Sequence, residues 1–540
     1  MTEISTELAL LVDVGSAWAK AGVIGRVRGR WRLVAHAAQP TAWGPAELRR
    51  SLIRQLNATG DPRLADRWDE LLARANRIEC HTARQPGRLA VVAVSRELSG
   101  STARRAAEAA GWQVMELVTL DDGRTLAERL ATLQAAEVDA WLLAGGFDDA
   151  RSPRALEAAA LVASARPPDG GPVVWAGSAQ LADEVMLLFE DGAASAVANP
   201  RPDAKREEPG PLRDRLQAVL RQSVAPEDEA HLSTIAFARA VGAIAADGGL
   251  RVLAVDLGAR GALRVLAEAD GSTSETVHSS GGLAGAALVP GAAGRVARQA
   301  GDAGDEAAVA DVLQTLRARP TSLPQTAEEL SATQAAARML IAAMVEDSAT
   351  DPVDLVIGAG RTIASAPHPA QSARMLLDGL RPIGITQLAV DPAAVLGPLG
   401  SLGDDEIGEG LTLLADDLLL PLGTAVVCRG GEPGDVAMRV TVHRSGWPTP
   451  SPVEVRVGQL QVLPLGRGQE AELLIEPAAS ISLGTPRRSS RIQARATGGS
   501  VGLILDARGV PIALPRRGDD RRAVLAGWRD ALLRETERMA

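Results

Sequence analysis

The sequence predicts an α/β protein of two related halves around a cleft, followed by a small C-terminal all-β domain. Three observations carry that prediction. The stretch LALLVDVGSAWAKAGVI at residues 8–24 returns in altered form at 250–266 as LRVLAVDLGARGALRVL. Through most of the chain, short apolar runs alternate with helix-length segments, the pattern of strands joined by helices. Beyond about residue 430 that alternation stops, and short strand-like runs follow one another between glycines and prolines.

Each copy of the repeated stretch reads as an apolar strand, an Asp, any residue, a Gly, a short turn and a second apolar strand. In the first copy Asp13 stands at a strand end and Gly15 lets backbone N–H groups approach a phosphate, while Ser16 and Lys20 supply a donor and a cation. Asp256 and Gly258 take the two equivalent places in the second. Asp and Gly are ordinary turn residues, so a single occurrence would mean little. Their recurrence at matching positions points to two halves facing one nucleotide.

In chain order, 31–35 reads as a third strand and 43–77 as helices with polar, Arg-rich faces. LAVVAVS at 89–95 reads as a buried strand before a helix at 96–112, and further strands follow at 113–119 and 140–144 around a helix at 125–136. Gly145, Gly146, Asp148 and Asp149 then follow a strand end, where open α/β sheets hold ligands. A strand at 172–178 and a helix at 179–190 lead to NPRPDAKREEPGP at 199–211, a Pro-rich boundary between halves. A long helix at 231–246, with Ser233 and Thr234 near its start, precedes the second hairpin. Residues 271–294, rich in Gly, Ser and Ala and including Ser279 to Gly282, read as a loop, over the cleft mouth or on the surface. After a polar stretch at 300–328 and a helix at 332–345, a strand at 353–357 runs into Gly358, Ala359 and Gly360. Glycines at such a turn permit close packing of an adenine or ribose against backbone. ITQLAVDPAAVLGPLGSL supplies a strand and a small-residue helix, six short strands follow residue 430, and 521–539 reads as an amphipathic helix with Trp528, Leu532 and Leu533 on its apolar side. The domains expected are 1–205, 206–430, 431–520 and the helix 521–540.

A net charge of −10 argues against a nucleic-acid partner, since backbone binding needs clustered Lys and Arg. Arg487, Arg488, Arg491, Arg516 and Arg517 read as solvated loop charges. With no Tyr and three Phe, the cores must be filled by Ala, Leu and Val. Cys80 and Cys428 stand far apart, which fits a reducing compartment and excludes a cysteine metal cluster. The acidic start and the lack of a membrane-length apolar run lead to the expectation of a cytoplasmic protein without a membrane partner. The six histidines are scattered, which argues against a His metal site. A small-molecule kinase would need an acid or base in the cleft, and the spacing of Asp148, Asp149 and His278 singles none of them out.

LLVDVGSAWAKAGVI, LLAGGFDDA followed by VVWAGSAQ, ANPRP, LAVDLGARG and VIGAGRTIASAPHPAQ together resemble the glutamate mutase L (MutL, GlmL) family over roughly residues 8–430. That family is unrelated to the DNA mismatch-repair proteins of similar name. The resemblance implies two ribonuclease-H-like halves of the acetate kinase, sugar kinase, Hsp70 and actin type with ATP between them. It also implies a chaperone-like or reactivating role beside an adenosylcobalamin-dependent mutase. The β-rich tail resembles tails of longer members.

Asp13, Gly15, Ser16 and Lys20 match the first phosphate motif of the family, with Ala17 and Ala19 where threonines are usual. Asp256 and Gly258 match the second, but Ala259, Arg260, Gly261 and Ala262 follow in place of Ala-Thr-Thr-Asp. Gly358 and Gly360 match the adenosine motif. The resemblance thus implies ATP with Mg²⁺ at Asp13 and Asp256, which would also be the catalytic pair, and Arg260 either pairs with a phosphate or fills the site with its own charge. With so many donors missing, the expectation is at most a weak ATPase, and the alternative is a non-hydrolysing pseudo-ATPase scaffold.

Overall fold

Two runs of apolar residues around an Asp-containing turn lay down the first sheet, in which β1 (Ile4–Val14) pairs antiparallel with β2 (Trp18–Val27) and β2 with β3 (Arg30–Pro40). β4 (Asn76–His81) returns parallel to β1, giving the order β3-β2-β1-β4. The Pro45–Thr59 and Trp68–Arg74 helices make the crossover, and Leu52, Leu56 and Trp68 pack with Val12 and Val23 of the sheet into one core. A computed structural model describes the chain apart from residues 1–3, 60–61, 83–86, 111, 150, 169, 190–191, 223–230, 279–281, 290, 302–304, 346–350, 414–416, 445–451, 485–490 and 540. Ser279, Ser280, Gly281, Arg487 and Arg488 therefore lie outside the described residues.

After β4 the chain builds a second compact unit from residues 83–229 and 276–280. Its strands β5 (Gly87–Ala93), β6 (Trp112–Thr119), β7 (Ala140–Gly145), β8 (Val173–Gly177) and β9 (Ala194–Ala196) form one parallel sheet in the order β6-β5-β7-β8-β9. Continuous apolar runs such as LAVVA suit strands buried on both faces. Trp141 and Trp175 fill the core on one face, and Trp112, which donates Nε1–H to the Leu216 carbonyl at 2.9 Å, fills the other. The sequence places the first half at 1–205, whereas the compact units divide at 82 and 230. The cause is pairing: the strands of 83–229 hydrogen-bond to one another in a sheet of their own.

Residues 1–82, 230–275 and 281–540 make up the other unit. Leu232 bridges His81 in parallel, and the Ser233–Gly248 helix follows. β10 (Val252–Leu257), β11 (Ala262–Ala267) and β12 (Thr273–His278) repeat the antiparallel run, β13 (Leu355–Ala359) lies parallel to β10, and β14 (Gly384–Val390) lies parallel to β13. The order β12-β11-β10-β13 thus has the strand sequence of β3-β2-β1-β4. The expected loop at 271–294 is instead β12, a short 3₁₀ helix at Gly282–Leu288 and the start of the Ala292–Ala300 helix. Small residues serve close packing there, since a Cβ on Gly282 would stand 2.5 Å from the Gly258 carbonyl oxygen.

The C-terminal region is rich in strands, as expected, yet it is not a separate sandwich or barrel. β15 (Leu420–Val427) pairs antiparallel with β14 and extends the large sheet. β16 (Arg429–Gly430), β17 (Val436–His443), β18 (Val453–Arg456), β19 (Leu460–Leu463), β20 (Glu470–Pro477), β21 (Ile481–Ser482), β22 (Ile492–Thr497) and β23 (Gly502–Asp506) follow. β23 and β19 join the large sheet beside β15, completing β12-β11-β10-β13-β14-β15-β23-β19, while β18-β17-β20-β22 form an antiparallel sheet over it. Val426 and Leu505 of the first share one core with Val440 and Ile475 of the second. The Gly518–Met539 helix closes the opposite face, burying Leu525, Trp528 and Leu532 in the core of the large sheet.

Candidate functional site

The two Asp-containing turns close by the same hydrogen bond. Gly15 N–H donates to the Trp18 carbonyl at 3.0 Å, and Gly258 N–H donates to the Gly261 carbonyl at 2.8 Å. A Cβ at Gly15 would stand 2.6 Å from the Trp18 oxygen, so a side chain there would open the turn. Thr41 Oγ1 donates to the Gly15 carbonyl at 2.8 Å, and the Leu283 and Ala284 N–H groups donate to the Gly258 and Ala259 carbonyls at 3.1 and 2.8 Å. Both turns are thus tied down from outside their hairpins.

Hairpin register places Lys20 directly across from Asp13, and its Nζ donates to Asp13 Oδ2 at 2.9 Å. Leu263 occupies the matching place opposite Asp256, so register sets no cation across from the second aspartate. Lys20 serves both: burial works against its charge, but Asp13, Asp256 and Asp391 together raise its pKa above the ordinary lysine value. Asp13 Oδ1 accepts from Ser233 Oγ at 3.2 Å and from Cys80 Sγ at 3.6 Å. Burial, reinforced by the Asp13 carboxylate, pushes the Cys80 thiol well above its usual pKa, so it is kept as a neutral donor.

Asp256 is raised by burial and by Asp13, with Lys20 opposing. Asp391, only 2% exposed, is pushed up to about 6 by burial, against hydrogen bonds from Leu396 and Val395 N–H at 3.0 and 3.1 Å. The cluster therefore holds three carboxylates around one ammonium, and two of the three are shifted toward the neutral form. Sequence reasoning missed Asp391. The signal was present: LLVD at 10–13 and LAVD at 253–256 are followed by a third copy, LAVD at 388–391, each ending a strand on an Asp.

The glycine turn after β13 meets this cluster. Gly360 has φ +85°, and a Cβ on it would lie 2.2 Å from the Leu257 carbonyl oxygen and 2.9 Å from Asp256 Oδ1. Gly358 lies earlier, inside β13, where a Cβ would strike Ile363 and Leu376 at 2.7 and 2.9 Å. Next to Gly360, Arg361 stacks over Trp18 of the first turn with its guanidinium 3.9 Å from the ring centre, a contact between residues 343 positions apart that no local pattern signals. Ser16 and Arg260 are exposed at their turns, so the cation among the carboxylates is Lys20 and not Arg260. The structure brings Asp13, Lys20, Asp256 and Gly360 together. It leaves Asp148, which accepts from Ala179 N–H and Asn199 Nδ2–H at 3.1 Å each, in the other unit.

Among the described residues no group of three or more His, Cys, Asp or Glu is placed to hold a metal ion directly. A hydrated Mg²⁺ needs less, one or two carboxylates and its own waters. Three carboxylates near one ammonium, two of them shifted up chiefly by burial, fit such a cation. Gly15 and Gly360 let the chain's own backbone close in, the Trp18 and Leu257 carbonyls standing where a Cβ would lie.

The fold and site define a mixed α/β protein in which two acid-bearing hairpin turns of one design share a single lysine. The profile of the MutL protein family matches residues 9–418, and the chain belongs to that family, the glutamate mutase L family that its motifs resemble. No curated protein matches the chain. Among solved structures, nucleotide-free acetone carboxylase aligns over 84% of this chain and 81% of its own at 11% identity, with a TM-score of 0.29. The activator of the 2-hydroxyisocaproyl-CoA dehydratase from Clostridium difficile, with bound ADPNP, aligns over 75% and 97% at 10% identity and a TM-score of 0.26. Component A of the (R)-2-hydroxyglutaryl-CoA dehydratase of Acidaminococcus fermentans aligns over 75% and 98% at 9% identity and a TM-score of 0.24. Among the described residues no helix is long and apolar enough to cross a membrane.

Proposed function

We propose that this chain is an ATP-binding accessory protein that acts on a partner enzyme, in keeping with its family an adenosylcobalamin-dependent mutase, within the cytoplasm. The observation that carries the reading is the pair of equivalent turns whose aspartates, Asp13 and Asp256, meet around Lys20 beside the Gly360 turn. In this reading the two halves are ribonuclease-H-like, consistent with the repeated strand order. Gly15 and Gly258 would shape the turns around the phosphates, the exposed Ser16 would donate to a phosphate oxygen, and Lys20 and the exposed Arg260 would add charge. The Gly358 to Gly360 turn, with Arg361 held on Trp18, would meet the adenosine. Asp13 and Asp256 would hold a hydrated Mg²⁺, which when bound neutralises phosphate charge. Ser233 and Cys80 fix the Asp13 carboxylate by donating to Oδ1, leaving Oδ2 to Lys20.

The test is calorimetric titration of ATP, with and without Mg²⁺, into wild type and Asp13→Ala. Mg²⁺-dependent micromolar binding that Asp13→Ala abolishes is expected, and absence of binding at millimolar ATP overturns the proposal. A second reading, a pseudo-ATPase that binds without turnover, is favoured by one observation: Asp13 is already engaged by Lys20, Ser233 and Cys80, which leaves it poorly placed to orient water. Steady ATP hydrolysis that Asp256→Ala removes excludes that reading.

A further inference from the structure

A second polar pocket lies within the same unit, well separated in sequence from the aspartate turns. The Ala327–Ala343, Pro369–Leu380 and Gly518–Met539 helices flank an open-sided pocket of about 170 Å³, whose ionisable lining is Arg338, Arg374 and Arg529 against one carboxylate, Glu328, with Gln334 beside them. Beneath it Arg508, fully buried, donates from Nε and Nη2 to Asp506 at 2.9 and 2.7 Å and lies 2.8 Å from Asp378 Oδ1. Asp378 is also the carboxylate that faces Arg338 and Arg374, at 3.6 and 3.4 Å. Three guanidinium groups in or near the core thus share two carboxylates, and Asp506 is committed to Arg508 alone.

The imbalance falls on the cavity side. Arg338, 6% exposed, gives Nη2–H to the Gln299 carbonyl at 3.0 Å. Burial and the like charges of Arg374 and Arg508 outweigh Asp378 and push its pKa down to about 9. A guanidinium keeps its proton under such pressure, so Arg338 stays charged in a buried place with two like charges near it. Independently of charge, Gln334 is 9% exposed, lines the same cavity, and its Nε2 has no hydrogen-bond acceptor. A buried donor left unmet costs about 1–3 kcal/mol, so its retention beside two arginines points to a ligand that accepts from it.

We propose that this pocket binds a small oxyanion, a phosphate or carboxylate group, which pairs with Arg338 and Arg374 and accepts a hydrogen bond from Gln334 Nε2. At about 170 Å³ the pocket is smaller than the roughly 300 Å³ from which pockets for larger ligands start, which favours a phosphate or a short carboxylic acid over a nucleotide. Bidentate guanidinium geometry suits both oxyanions. Because the Gly518–Met539 helix supplies one wall through Leu525, Leu532 and Leu533, an anion there would also fasten that helix to the sheet.

The experiment is calorimetric titration of the full-length chain with inorganic phosphate in one arm and with acetate and succinate in another, on wild type, Gln334→Met and Arg374→Met. Saturable submillimolar binding in at least one arm is expected, and the arm that responds identifies the oxyanion. Each variant should weaken it at least about tenfold. Gln334→Met keeps length and charge and decides the matter where Arg374→Met fails to fold. No binding of any probe by folded wild type, or binding that Gln334→Met leaves within about twofold, overturns the proposal.

Discussion

Replacing Lys20 with Met would test whether the aspartate cluster depends on a single ammonium. The Lys20 Nζ to Asp13 Oδ2 separation of 2.9 Å corresponds to about 6 kcal/mol of attraction at an effective dielectric near 20. Much of that is offset by the cost of burying the ammonium, and removing one member of a buried pair typically costs about 3–5 kcal/mol. Met nearly conserves volume, so lost packing adds little. Urea unfolding of the full chain at pH 7, with hydrogen exchange in β1 and β10 reporting on this unit, should show a loss in that range. The pH dependence fixes the cause. Asp256 and Asp391 are already raised, and without Lys20, which lowers both, they bind protons still more readily in the folded state than in the unfolded one. A group raised on folding contributes stability at low pH that is lost as pH rises, so the variant should recover as pH falls from 7 to 5. The gap to wild type should narrow by at least about 1.4 kcal/mol, the worth of one pKa unit. A loss below about 1 kcal/mol at pH 7, or a gap constant with pH, would refute the assignment of mutual repulsion to these carboxylates.

Asp391, at about 6 against an ordinary 3.8, should make wild type gain about 1.4 kcal/mol relative to Asp391→Asn between pH 7 and pH 5; parallel pH profiles of the two proteins in urea unfolding would contradict this. Gly360→Ala forces a Cβ against the Leu257 carbonyl and Asp256 at positive φ, and should cost about 2–5 kcal/mol and abolish nucleotide binding, read by thermal unfolding and calorimetry. Arg508→Met leaves Asp506 and Asp378 buried without their shared partner and should lower stability by about 3–5 kcal/mol. Arg508→Lys should rescue little of it, because one ammonium cannot span two carboxylates as the guanidinium does.

Much of the site was legible because hairpins are local. Once β1 and β2 are read as a hairpin with its turn at Gly15, the register alone sets Asp13 against Lys20, seven residues on. The likeness of 8–24 to 250–266 carried the repeated strand order, since each copy specifies its own antiparallel pair. The apolar runs from 89 to 178 likewise read as buried strands between helices, in a mixed sheet, and the sheet they form is parallel throughout.

Other features depended on pairing between residues far apart. That 83–229 folds as its own unit, while β1 to β4 belong with residues 230–540, depends on which strands hydrogen-bond, and apolar runs are alike in composition whichever neighbour they take. The tail looked like a separate β-domain because its strands are short, yet β23 runs parallel to β15 and enters the large sheet. The meeting of Asp391 with Asp13 and Asp256 needed the order of β10, β13 and β14. The hairpins, the acid-bearing turns and the glycines of close approach thus follow from residue type and short-range geometry. That one lysine serves three aspartates, and that Arg338, Arg374 and Gln334 share a pocket, follows from burial and charge balance, which neighbours brought from distant parts of the chain set.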